Sequence, residues 1–312
     1  MRYRNDDLLL RIAQGDAYGA GFEYVKRENR AHWAKHRVDR YVRHPTHNCC
    51  GDYTDDTQMS IAVAEVLLAG PPFTREAFAD AFVRCFKRDE REGYSSGGRE
   101  GGFQRFLESV RDGKEFLARI RSDSDKNGAM MRAVPIGVLP RLDWVLEVAE
   151  LQAKITHDTP DGIRSAQAAA LLAHCALWTD TPLDHLRTHS VLAMFSGRWR
   201  GEVRGDRSRG LSVARATAHA VYDLVAHATT LRDVFQRGTA FGGDVDSVLA
   251  VAVGISSCRL RDPLPAFLER DLEVVENVED VRVTSRTPKP YGVPFLKDLG
   301  RRLMEKYAPA AG

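Results

Sequence analysis

The sequence of 312 residues lacks most features that mark specialised protein classes. Its five cysteines show no CxxC or zinc-ligand spacing, so we expect free thiols in a reducing compartment rather than a disulfide framework. The 45 basic and 43 acidic residues nearly cancel to a net charge of +2, which does not indicate general polyanion binding. The apolar runs are too short to span a bilayer, and the N-terminus has no signal-peptide core. We therefore expect a soluble cytoplasmic protein with no membrane partner.

Strand signals are also scarce. Apolar and polar residues alternate only briefly, at residues 281–283, whereas helical spacing of apolar residues recurs along most of the chain. Residues 73–86, 142–154 and 161–178 are clear examples. The pattern predicts an all-α fold, and we interpret residues 1–312 as one domain without internal repeats.

An acidic turn at residues 241–247 precedes the most apolar stretch of the chain. Its two glycines permit a tight turn, and Asp244, Asp246 and Ser247 then stand where a helix should begin. The following residues are apolar on every side, which predicts a helix buried in the core. Carboxylates carried into such a core are costly unless they are paired or bound to a cation.

A second acidic turn, Thr54-Asp55-Asp56, begins another predicted helix far upstream. If the two turns meet, their oxygen ligands would favour Mg²⁺, Mn²⁺ or Ca²⁺ over zinc. Two such ions side by side could orient a water and polarise substrate oxygens. The alternative is that both turns are simple helix caps, because Thr and Asp at a helix start satisfy free N–H groups and the macrodipole.

Other segments offer polar groups without a definite motif. Residues 15–23 contain three glycines and predict a loop after a short helix, on which Glu23 could be a mobile carboxylate. The Gly/Ser stretch at 92–102, with Gly97 and Gly98, could surround a phosphate or be a plain linker. It lacks the Gly-Lys-Ser/Thr of a P-loop.

Five motifs along the chain resemble the ADP-ribosylglycohydrolase family, which includes the dinitrogenase reductase-activating glycohydrolase and the human ADP-ribosyl-acceptor hydrolases. The motifs are Gly15-Asp16-Ala17-Tyr18-Gly19-Ala20 with Glu23, Thr54-Asp55-Asp56-Thr57, Asn127-Gly128-Ala129-Met130-Met131-Arg132, Thr156-His157 and Gly242-Gly243-Asp244-Val245-Asp246-Ser247. Each is weak alone. Together, in the family's order and with similar spacing, they make the resemblance specific.

The resemblance implies a compact, single-domain, orthogonal multi-helix bundle with two Mg²⁺ or Mn²⁺ ions at its centre. It implies a hydrolase that cleaves the glycosidic bond at C1 of the distal ribose and releases ADP-ribose from a modified protein side chain or another acceptor. A nucleic acid would be a partner only if its ADP-ribosylated end were the substrate. The implied metal ligands are Thr54, Asp55, Asp56, Asp244, Asp246 and Ser247. Catalysis would depend on Glu23, Asp55 and Asp246, and substrate binding on Ser124, Asn127, Gly128 and His157. Gly97 and Gly98 of the Gly/Ser stretch are further substrate-binding candidates from the sequence itself.

The chain departs from the family pattern at several positions. Ser247 stands where Thr is common but keeps a hydroxyl ligand, and Lys126 replaces a frequent glycine. Two other functions stay open. A protein of the same fold could bind ADP-ribose or neutralise a toxin without catalysis, although the four retained aspartates favour an enzyme. A two-metal nucleotide phosphohydrolase is the other alternative.

Overall fold

The computed structural model describes residues 4–47, 49–89, 91, 93–94, 102–195, 197–279 and 282–308. The helices are α1 (Leu8–Ala20), α2 (Arg30–Trp33), α3 (Asp55–Ala69), α4 (Arg75–Arg88), α5 (Gly102–Ser109), α6 (Gly113–Arg119), α7 (Gly128–Met131), α8 (Leu142–Ala153), α9 (Pro160–Trp178), α10 (Val213–His227), α11 (Leu231–Phe241), α12 (Val245–Ser256), α13 (Phe267–Arg270) and α14 (Val293–Tyr307). Short 3₁₀ segments span Val134–Val138, Leu183–Thr188, Ala193–Phe195 and Arg207–Arg209.

The all-α prediction is confirmed, with one local addition. Strands β1 (Val274–Glu279) and β2 (Arg282–Pro288) form an antiparallel hairpin whose register shifts between Asn277 and Val278. Of the brief alternation at residues 281–283, Arg282 and Val283 begin β2, and residue 281 lies outside the described residues. In the described part of the chain, no helix is both long and apolar enough to cross a membrane.

Helix α12 lies at the centre of the hydrophobic core, as its uniformly apolar sequence predicts. Every residue from Val245 to Ser256 is buried. Helix α3 is nearly as enclosed, with most of its residues buried. Because both helices are surrounded by packed side chains, their first turns deliver polar residues into the interior instead of into solvent.

Helix α1 is longer than the sequence suggests. We expected a short helix followed by a glycine-rich loop, but the helix continues through Gly15 and Gly19 to Ala20, so that expectation is wrong. A Cβ atom on Gly15 would lie 2.3 Å from the carbonyl oxygen of Leu249, and one on Gly19 would lie 2.4 Å from Cα of Asp246. The glycines therefore permit backbone-to-backbone packing of α1 on α12. This contact places Asp16 beside the first turn of α12.

The region after α9 also differs from its prediction. The sequence over residues 182–195 predicts one further helix, but the chain forms two short 3₁₀ segments there, so this prediction is wrong. The expected helices over residues 142–154 and 161–178 are present as α8 and α9 with shifts of one residue at their ends.

Candidate metal centre and catalytic cluster

The turn before α12 presents Asp244 and Asp246 from a fixed backbone. Gly242 and Gly243 have positive φ angles of 71° and 79°, as a tight turn requires. Val203 pairs with this turn, donating its N–H to the Gly242 carbonyl at 2.8 Å and accepting the Asp244 N–H at 2.9 Å. The acidic residues at the start of α12 are therefore held by backbone hydrogen bonds on both sides of the turn.

The two acidic turns meet, as the sequence predicts. One carboxylate oxygen each from Asp16, Asp56 and Asp246 lie within 4.8 Å of one another. A second group, with oxygens of Glu23, Asp244 and Asp246, satisfies the same limit. Asp246 belongs to both groups and so joins them. Asp55 is next to Asp56 in the first turn of α3 and is half-buried beside these two groups of carboxylates.

The geometry of the cluster fits bound cations. The Oδ1 atoms of Asp56 and Asp246 are buried and have no hydrogen-bond partner among the described residues. A buried carboxylate oxygen without a donor is costly unless it binds a cation or a proton. The two oxygens come from separate helices, and every side-chain atom of the cluster that could bind a metal is an oxygen. Hard octahedral cations such as Mg²⁺ or Mn²⁺ suit this donor set.

The interpretation of these turns as plain helix caps does not hold in the described structure. Thr54 is the N-cap residue of α3 and Asp244 that of α12, yet neither side chain makes a capping hydrogen bond to the helix it precedes. Thr54 instead donates its hydroxyl to Oδ1 of Asp16 at 2.8 Å. Ser247, in the first turn of α12, is buried between Asp56 and Asp244, and its single hydroxyl proton can be donated to either carboxylate.

Burial and mutual repulsion raise the pKa values of the acids in the cluster. Burial, followed by repulsion from Asp244, raises the pKa of Glu23 to about 8. Burial, followed by repulsion from Asp16, raises the pKa of Asp55 to about 8. Burial likewise raises the pKa values of Asp56 and Asp246 well above the ordinary value. Without a cation, the cluster must therefore hold protons at neutral pH.

Asp16 is the residue of this cluster that sequence reasoning missed. It is completely buried, and its two oxygens accept four hydrogen bonds from the N–H and hydroxyl groups of Thr54 and Thr57, at 2.6–3.0 Å. It therefore satisfies N–H groups at the start of α3 from a neighbouring helix. Because the Thr54 proton is directed to Asp16, the oxygen lone pairs of Thr54 stay available to a cation. The signal was an acid between glycines spaced four apart, a spacing that suits close helix packing.

Glu23 lies on a short segment that is tied to the α12 turn. Tyr24 donates its N–H to the Gly243 carbonyl at 2.8 Å and its hydroxyl to Oδ2 of Asp244 at 3.3 Å. On the other side, Nε2 of His44 donates to the Glu23 carbonyl at 2.9 Å, because its Nδ1 accepts the N–H of His47. These contacts hold the Glu23 carboxylate against Asp244 and Asp246. Neither Tyr24 nor His44 was identified from the sequence.

The predicted substrate-binding residues divide by location. Asn127 hydrogen-bonds Asp244 and also Thr217, which brings the start of α7 to the edge of the cluster. Ser124 contacts the segment that carries His157 through a 3.4 Å bond from its N–H to the Thr156 carbonyl, and His157 lies beside Gly128. Gly97 and Gly98 lie outside the described residues.

Comparison with known proteins points to one family. The family model described as ADP-ribosylglycohydrolase matches residues 7–287. The ADP-ribosylarginine hydrolase Tri1 of Pseudomonas putida is 24% identical over 259 residues, which cover 78% of this chain and 67% of that protein. Human ADP-ribosylhydrolase ARH3 is 33% identical over 138 residues, which cover 43% of this chain and 38% of that protein. The chain thus spans two thirds or less of the length of these relatives.

The fold has a counterpart among solved structures. A chain described as an ADP-ribosylglycohydrolase-related protein complex superposes with a TM-score of 0.69 and covers 97% of this chain and 98% of its own length. The sequence identity is 20%, so this structural similarity supports an assignment of the fold only.

Proposed function

The chain belongs to the ADP-ribosylglycohydrolase family of hydrolases, and we propose that it releases ADP-ribose from a modified acceptor by divalent-metal-dependent cleavage at C1 of the distal ribose. The observation that carries this proposal is that the carboxylates of Asp56 and Asp246, which approach within 4.8 Å from separate helices, each have a buried Oδ1 atom without a hydrogen-bond partner among the described residues. Carboxylate oxygens in this arrangement suit divalent cations, which can in turn bind sugar hydroxyls and water. The arrangement suits a site that uses side chains alone less well.

We propose Thr54, Asp55, Asp56, Asp244, Asp246 and Ser247 as the residues that hold two cations. When bound, Mg²⁺ or Mn²⁺ would supply electrostatic stabilisation and orientation at the reacting centre. The chain contributes the surrounding rigidity: Asp16 fixes Thr54, and the pairing with Val203 fixes the turn that carries Asp244.

Glu23 is proposed as the acid–base residue. It is the one carboxylate of the cluster on a connecting segment rather than in a helix or at a helix start, and its pKa is raised to about 8. A carboxyl group with a pKa near the working pH can both accept and give back a proton. The tethering of its segment through Tyr24 and His44 keeps this group against Asp244 and Asp246.

The acceptor side of the site borders a basic segment. Residues 198–209 contain five arginines, and Val203 at their centre pairs with the Asp244 turn. Arg204 lies over the ring of Tyr24, 5.6 Å from its centroid. We propose that this segment contacts the acceptor. Because the Tri1 relative is an ADP-ribosylarginine hydrolase, arginine-linked ADP-ribose is the first acceptor to test.

The test incubates the protein with arginine-, serine- and DNA-linked ADP-ribose in Mg²⁺, Mn²⁺ or chelator, and measures free ADP-ribose and inorganic phosphate. We expect metal-dependent release of ADP-ribose from at least one substrate, and loss of that release in Asp246→Asn. Glu65→Gln is the matched control, because Glu65 lies on α3 but pairs with Arg84 and Arg88 away from the cluster. Release that is unaffected by chelator would contradict the proposal, and phosphate release without ADP-ribose would favour the phosphohydrolase alternative.

A further inference from the structure

Arg132 is a fully buried cation whose hydrogen bonds, among the described residues, include no carboxylate. Its guanidinium donates to the side-chain and backbone oxygens of Gln152 at 2.6 and 3.1 Å and to Oγ1 of Thr156 at 2.8 Å. It also lies over the ring of Phe82, 4.3 Å from the centroid. Burial lowers the pKa of Arg132 to about 9, which still leaves it charged at neutral pH. Asp55 attracts this charge only from a distance, without a hydrogen bond among the described residues, so burying the charge is expensive and its position needs a reason.

The hydrogen bond to Thr156 determines where the neighbouring protons lie. A guanidinium can only donate, so Thr156 Oγ1 accepts from Arg132. The hydroxyl proton of Thr156 is then available to Nδ1 of His157, which lies 2.6 Å away. Oγ1 could also accept an Nδ1–H with its second lone pair, but its own proton would then have no acceptor among the described residues. The arrangement that satisfies every group has Nδ1 accepting, which places the single proton of the neutral ring on Nε2.

His157 stays neutral in this environment. Burial, followed by repulsion from Arg132 and Lys126, lowers the pKa of His157 to about 3. The ring is consequently a hydrogen-bond donor at Nε2 and an acceptor at Nδ1 throughout the neutral range.

The Nε2 atom lies next to the backbone that opens α7. A Cβ atom on Gly128 would be 3.1 Å from Nε2 of His157 and 2.9 Å from Cε1. Gly128 follows Asn127, which hydrogen-bonds Asp244 of the acid cluster. The Nε2 atom thus lies beside the backbone at the start of α7, one residue from the side chain that contacts the acid cluster.

We propose that Arg132 is a positioning residue that acts through Thr156 to hold His157 as a fixed Nε2–H donor to an oxygen atom of bound ADP-ribose. This inference rests on the proposed function for the identity of the ligand. The proton order of the Arg132–Thr156–His157 chain follows from the donors and acceptors of the protein itself.

The test interrupts the hydrogen-bond series Arg132–Thr156–His157 at its middle residue. Thr156→Val keeps the shape of the side chain but removes the hydroxyl, whereas the control Thr156→Ser keeps the hydroxyl. We expect roughly tenfold weaker ADP-ribose binding in Mg²⁺ for Thr156→Val, the effect of one lost hydrogen bond, and a change within about twofold for Thr156→Ser. In the His157→Ala protein, adding Thr156→Val should not weaken ADP-ribose binding further. The ¹⁵N shifts of the His157 ring should show the proton on Nε2 in the wild type and in Thr156→Ser, and a mixture of tautomers in Thr156→Val and in a folded Arg132→Met.

The proposal and the proposed function can fail separately. Tight ADP-ribose binding with the expected histidine signature but without hydrolysis would support the positioning role and contradict the enzymatic proposal. A proton on Nδ1 in the wild type, equal loss of binding from Thr156→Val in the presence and absence of the His157 ring, or no ADP-ribose binding at all would overturn the positioning role.

Discussion

Two pairs of helix starts in this molecule use the same residue types differently. At α4 and α11, the threonines Thr74 and Thr230 accept hydrogen bonds from backbone N–H groups of the helices they precede, at 3.1 and 3.0 Å. At α3 and α12, Thr54 and Asp244 occupy the same capping position but make no such bond in the described structure. The first group stabilises helices, and the second leaves its oxygens to the acid cluster.

The difference between the two groups lies in what packs against them. Thr74 and Thr230 are at least partly open to solvent, so the nearest donor is their own helix. Thr54 is buried against α1, where Asp16 supplies the hydrogen bonds that the start of α3 requires. Capping from a neighbouring helix thus frees a capping residue for another role. One local sequence pattern can therefore stabilise a helix or build a site, depending on its tertiary neighbours.

The largest expected effect comes from removing one charge of the cluster with Asp56→Asn. Loss of a proposed ligand should lower metal-dependent activity by at least about 100-fold. Mutating even a residue that only hydrogen-bonds a metal ligand typically lowers metal affinity or activity about 10- to 100-fold. The metal-free protein should become more stable at alkaline pH, where the cluster loses its protons, because two ionised carboxylates about 4 Å apart repel by about 4 kcal/mol at an effective dielectric of 20. Activity assays and thermal unfolding in chelator measure the two effects. Unchanged activity together with a less stable metal-free protein would place Asp56 in the capping group.

Asp16→Asn should separate capping from ligation. Asparagine has one acceptor oxygen where Asp16 accepts four hydrogen bonds, so donors at the start of α3 lose partners. We expect metal affinity to fall about 10- to 100-fold. The protein should lose about 1–3 kcal/mol of stability both with and without metal. Calorimetric titration with Mn²⁺ and thermal unfolding test this. A stability gain like that of Asp56→Asn would show that repulsion, and not capping, dominates at Asp16.

The cluster should also give the metal-free protein an unusual pH dependence. Glu23 and Asp55 have pKa values of about 8 in the folded protein, above ordinary values of 4.5 and 3.8. The folded state then binds more protons than the unfolded state between about pH 4 and 8, so this contribution to stability is present at low pH and lost as pH rises through 8. In chelator, the free energy of unfolding of Asp55→Asn minus that of the wild type should increase by at least about 1.4 kcal/mol between about pH 5 and pH 8. This is the free energy that corresponds to one pKa unit. Saturating Mg²⁺ should remove this gain, whereas a pH-independent difference would contradict the assignment.

Much of the fold was predictable because the governing signals are local. Uniformly apolar α12 and the helical spacing of α8 and α9 follow from the sequence pattern, and these elements appear with small shifts at their ends. The extension of α1 was not predictable in the same way. Glycine lowers helix propensity, and the close approach of α12 that favours helix at Gly15 and Gly19 is a tertiary contact.

The site was predictable to the extent that it consists of motifs. The two acidic turns were identified and do meet, but the ligand set itself stays a prediction. Asp16, Tyr24 and His44 were missed because their roles depend on hydrogen bonds to residues far away in the chain. A single acid in a helix and a histidine beside a turn have no distinctive pattern, so only the three-dimensional arrangement identifies them.

The smallest expected effect comes from the solvent-facing caps. Thr74→Ala removes the acceptor for the Ala77 N–H at the start of α4 and should cost about 1 kcal/mol of stability, as loss of a capping side chain usually does. Activity and metal affinity should not change, because Thr74 stands apart from the acid cluster. Thr54→Ala is the matched variant: the residue type and helix position are the same, but here metal affinity and activity should fall, since the lost hydroxyl faces the cluster and not the N–H groups of α3. Thermal unfolding, Mn²⁺ titration and ADP-ribose release on the pair provide the comparison. If the two variants lost stability equally and kept equal activity, the distinction between the two groups of helix starts would have no functional meaning, because Thr54 would then act only as a cap.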